Sequence, residues 1–141
     1  MNLAVASIKR YLPELNKKVV STGRILEVFG YHAIEFYIAK MEGRGCCVTD
    51  TDTERQFVFL NYTVRGVLFH ETLGYEATHI LIHEPAPFMK WRHEIEAEFI
   101  ALMMMMPLTD LPRLNRIKHQ LDDESYEYFM RRLKGRELWR M

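Results

Sequence analysis

Two apolar helical segments joined by a proline turn restrict this chain more than any other feature. Residues 64–83, VRGVLFHETLGYEATHILIH, are mostly apolar at helical spacing and stop at the breaker EPAP, residues 84–87. A second run, MKWRHEIEAEFIALMMMM, carries on to Pro107. A turn this tight folds the second helix back against the first. Within the first helix four polar residues fall at successive i, i+4 positions: Glu71, Tyr75, His79 and His83. With about 3.6 residues per turn they share one face of the helix. Polar residues at that spacing are commonly a half-exposed face or a hydrogen-bonded buried one. Four in line on so apolar a helix point to chemistry.

The remaining elements are marked by changes of pattern. Residues 2–12 and about 14–29 carry apolar positions at helical spacing, separated by Pro13 and closed by Gly30. YHAIEFYIAKM, CCVTD and QFVFLN then read as three short strands, with GRG and the polar TDTER as turns, and an antiparallel sheet is expected from them. After Pro107 two shorter helices are expected over 108–141, with Asp122 or Asp123 as a cap and Gly135 as a stop. The expected architecture is one α+β domain over 1–141: N-terminal helices, about three strands, the polar-striped helix, then C-terminal helices.

Composition removes some classes of function. The 19 basic side chains equal the 19 acidic ones, so net charge favours neither nucleic acid nor a membrane surface as partner. No apolar run reaches the roughly 20 residues of a membrane helix. The N-terminus lacks the long apolar stretch of a signal peptide, and Cys46 and Cys47 are adjacent, a poor basis for a disulfide. A cytoplasmic protein is expected. The four methionines at 103–106 read as core filler.

A metal-hydrolase helix needs two ligands one turn apart, with a glutamate directly after the first to take a proton from water. In YEATH, Glu76 occupies the base position and His79 the second ligand position. Tyr75 occupies the first. A phenol titrates near about 10 and must lose its proton to bind a metal well, so Tyr75 is a weaker ligand than histidine. His70 is followed by Glu71 but has Gly74 where a second histidine would stand. His79 and His83 form their own i, i+4 pair, but Ile80 follows His79 where the base would stand, which suits a structural metal. Glu96 on the second helix can reach the Tyr75–His79 face.

These segments resemble the ImmA/IrrE-type zinc metallopeptidases. TLGYEATHILIH is similar to that family's TLAHELGHxLLH segment, and EAEFIALMMMMP, residues 96–107, to its E-A-x-x-F-A-x-x-L-L-M-P stretch. FVFLN at 57–61 resembles the strand and asparagine before the active helix, and the likeness spans roughly residues 30–110. The resemblance implies a small zincin-like fold with zinc as cofactor. It implies Glu76 as general base, His79 and Glu96 as zinc ligands, and Tyr75 in the place of the first histidine. It also implies a helix-turn-helix repressor as substrate, cut to release phage, mobile-element or stress genes. The alternative is a non-catalytic relative that keeps the groove to bind such a partner. His83 and His70 stand as further ligand candidates.

Overall fold

The computed structural model describes residues 2–84 and 91–107. Most of the proline turn and the helices expected over 108–141 lie outside the described residues. Helix α1 spans Asn2–Lys9 and α2 spans Thr22–Tyr31. The second helix therefore starts later than its apolar pattern indicates. Pro13 and Asn16, the latter in the left-handed region at φ 65°, keep residues 10–18 in turns. Ser21 then opens the helix, its Oγ accepting from the Arg24 N–H at 3.1 Å. Leu12 and Leu15 still reach the core from these turns.

Strands β1 (Ile34–Ala39), β2 (Gly45–Thr49) and β3 (Gln56–Asn61) form one sheet in the order β1-β3-β2. The sheet is mixed and not antiparallel as expected: β1 runs parallel to β3, while β2 is antiparallel to it. The cause lies in the connection after β1, which passes across the end of β3 before β2 begins. Asn61 fastens it there. Its Nδ2 donates to the carbonyls of Met41 (2.7 Å) and Gly43 (2.9 Å), and its backbone N–H donates to Arg44 O at 2.8 Å. Gly43 takes the positive φ of 74° that this corner requires. As the central strand, β3 supplies the fully buried Val58 and Leu60.

Helix α3 spans Val67–Thr78 and continues into a π-helical turn, His79–His83, closed by the Glu84 N–H on His79 O at 2.9 Å. Helix α4 spans Trp91–Met105 and packs along α3. The two backbones approach closely at Gly74, where a Cβ would lie 3.3 Å from Ala101 Cα and 3.1 Å from Met104 Sδ. Leu73, Ala77, Ile80, Ile100 and Met104 fill the space between the helical pair, the N-terminal segment and the sheet. Met103–Met106 are all buried there, as expected of filler. The Val20 N–H donates to Met104 O at 2.7 Å and ties the N-terminal segment to α4. Among the described residues no helix is long and apolar enough to cross a membrane.

Candidate metal centre and its cleft

The polar stripe runs down α3 into the π turn and is largely buried. Glu71, Glu76, His79 and His83 are each less than a tenth exposed. A cleft of about 280 Å³ opens at this face, lined by Arg44, Glu71, Tyr75, Glu76 and Glu98 among others. Burial raises the Glu76 carboxyl to about 7; the Cys47 thiol hydrogen bond opposes the rise and the Glu84 carboxylate adds to it. Burial, with Glu76 and Glu84 nearby, pushes the Cys47 thiol up, so it stays protonated and inert as a nucleophile.

Next along the stripe, the Tyr75 ring meets the His79 ring edge-on, with centroids 4.6 Å apart and planes at 88°. His79 and His83 share a hydrogen bond between their Nδ1 atoms at 2.8 Å. On its other side, His83 Nε2 lies 3.1 Å from Glu96 Oε1. Glu96 thus reaches the stripe at His83. Among the described residues His79 Nε2 is buried with no hydrogen-bond partner; a Glu94 carboxylate oxygen is 3.8 Å away, too far for a hydrogen bond.

His70 lies apart from this group. Its Nε2–H donates to the Val20 carbonyl at 2.6 Å, and burial lowers its affinity for a proton. It anchors the N-terminal segment. The residue missed by sequence reasoning is His93, whose ring stacks on His83 with centroids 4.3 Å apart and planes at 18°. Among the described residues its Nδ1 is also buried without a partner. His83, His93 and Glu96 each offer a ligand atom, and all three atoms lie within 4.8 Å of one another. The signal for it is in RHEIE: His93 and Glu96 are three residues apart, on one face of α4.

Burial, reinforced by His83 and His93, depresses His79 to about 4, and burial also lowers His83. A histidine whose folded value lies below its unfolded one of about 6.5 contributes stability that is present above that pH and lost on acidification. Metal-free protein should therefore lose stability between about pH 6.5 and 4. His79 alone should account for on the order of 3 kcal/mol of that loss. Denaturant midpoints across this range, compared with His79→Gln, check it; identical slopes would show that His79 is solvated.

No family model matches this chain, and comparison with curated proteins and with solved structures also gives no match. The functional reading is therefore carried by the side chains themselves.

Proposed function

We propose that this chain is a metal-dependent peptidase domain of the ImmA/IrrE type, acting on a helix-turn-helix repressor of phage, mobile-element or stress genes. The observation that carries this reading is the Glu76 carboxyl. It is buried, held at about 7, and placed in a cleft beside Tyr75, one turn before a histidine with an unpartnered buried nitrogen. A carboxyl with a value near the working pH can both accept a proton and return it.

The donors at this end of α3 are imidazole nitrogens and a carboxylate, the set that zinc takes in hydrolases. His79 and Glu96 are the ligands that the resemblance implies, with Tyr75 beside them. Zinc bound here would polarise the scissile carbonyl and acidify water. Glu76 takes the proton of the attacking water and delivers it to the leaving amine. Tyr75, on the cleft wall, can donate its phenolic proton to the oxyanion that develops on the carbonyl.

Incubation with candidate helix-turn-helix repressor proteins tests the reading. Glu76→Gln should slow cleavage by about 10²- to 10⁴-fold while zinc content stays unchanged. Unchanged cleavage in that variant rejects Glu76 as the base. The edge-on Tyr75–His79 contact favours one second reading, a non-catalytic domain that holds the repressor. A stable complex in which wild type leaves the repressor uncut would establish that reading instead.

A further inference from the structure

We infer that His83, His93 and Glu96 hold a divalent transition-metal ion, and that His79 stands behind them as the residue fixing the tautomer of His83. The inference rests on the metal-dependent reading above and moves the ion along the stripe, away from Tyr75.

Geometry is the first support. Ligand atoms about 2.0–2.2 Å from a tetrahedral zinc ion lie roughly 3.4 Å from one another. His83 Nε2 and Glu96 Oε1 are already 3.1 Å apart, and all three donors lie within 4.8 Å. Side-chain movements on the order of 1 Å would close the set. The ligands also sit on ordered backbone: His83 ends the π turn, while His93 and Glu96 share one face of α4.

Unmet polar demand is the second support. A buried ring nitrogen without a partner is costly, and His93 Nδ1 is such an atom. An ion held by His83 Nε2 and Glu96 would satisfy it once the His93 ring, stacked on His83 with planes at 18°, turns to present Nδ1 to the ion. Two imidazoles and one carboxylate select zinc, cobalt or nickel over calcium or magnesium, which prefer oxygen throughout.

Proton placement is the third. A neutral imidazole carries one N–H. If His83 binds the ion through Nε2, its proton is on Nδ1 and is donated to His79 Nδ1 across the 2.8 Å contact. His79 then carries its proton on Nε2, the atom facing Glu94 Oε1 at 3.8 Å. The His79–His83–metal chain is thereby consistent at each link, with His79 as a positioning residue that does not itself touch the ion. The reverse placement would free His79 Nε2 as a ligand, but His79 is not in the set of mutually close donors.

The test uses the full chain, stripped by chelator and titrated with Zn²⁺ by calorimetry, with Co²⁺ absorption as a second readout. Wild type should bind one ion. His83→Ala, His93→Ala and Glu96→Gln should each lose more than about a hundredfold in affinity, and His79→Gln about ten- to a hundredfold. Tyr75→His should leave affinity within about threefold, since Tyr75 is outside this ligand set. His93→Gln, checked by its thermal melt, covers the case in which the alanine variant does not fold. Wild-type affinity in the His93 variants, with a gain in Tyr75→His, overturns the inference but leaves the metal-dependent reading intact. Absence of zinc binding by wild type overturns both.

Discussion

Replacing Glu76 by glutamine should make the metal-free protein more stable at pH 8, by on the order of 3 kcal/mol, and change little below about pH 4.5. Glu76 is 5% exposed, and its folded value of about 7 stands above the ordinary 4.5. A carboxyl raised in this way folds most favourably when protonated. Its relative contribution is therefore complete below the unfolded value and is lost as pH rises from about 4.5 through 7. Glutamine keeps the shape and never ionises, so the variant escapes the loss. Denaturant unfolding of both proteins at several pH values gives the difference directly. A pH-independent gap would mean that water reaches the carboxylate. Under the proposed function the same substitution is expected to slow cleavage, so one side chain would set stability against activity.

Replacing Gly74 by leucine should cost about 3 kcal/mol or more and leave the chain partly unfolded at 37 °C. Glycine lies inside α3, where it is a poor helix former, by about 1 kcal/mol relative to alanine. What offsets this is contact. A Cβ at this position would already lie 3.1 Å from Met104 Sδ and 3.3 Å from Ala101 Cα. A leucine would force α3 and α4 apart and disturb Leu73, Ala77, Ile100 and Met104 together. The His83–Glu96 contact spans the same two elements, so zinc affinity should fall with stability. Thermal melts with and without zinc measure both; wild-type values in the variant would mean that the helices have room to separate.

The helical hairpin, the three strands and the buried methionine run are legible in local pattern, because each depends on residues close in sequence. Sheet order is not. The crossing of β3 by residues 40–44 depends on Asn61 amide bonds that no hydrophobic periodicity encodes. The late start of α2 depends on Ser21 as a cap, and its signal is weaker than the apolar spacing before it. At the site, Glu76 and His79 are both buried, and Glu76 lines the cleft with Tyr75. Glu96 is expected opposite Tyr75 and His79 but meets His83. His93 is set aside at the sequence level because His93-Glu94 would start a metal-hydrolase motif but Ala97 stands where its second histidine would be. The i, i+3 pairing of His93 with Glu96 is the informative spacing.

The π turn at His79–His83 gives the site an unusual genetic sensitivity. A π turn is a helix holding one residue more than its α-helical counterpart. Each residue added to a helix rotates all later side chains by about 100°. The direction in which His83 points is therefore set by a count of residues as much as by their identities. Gain of a single codon within residues 80–82 would leave every histidine and glutamate present, exceed the one extra residue that the π turn absorbs, and turn His83 away from Glu96 by about 100°. For this segment the reading-frame-preserving insertion is a more severe lesion than most substitutions.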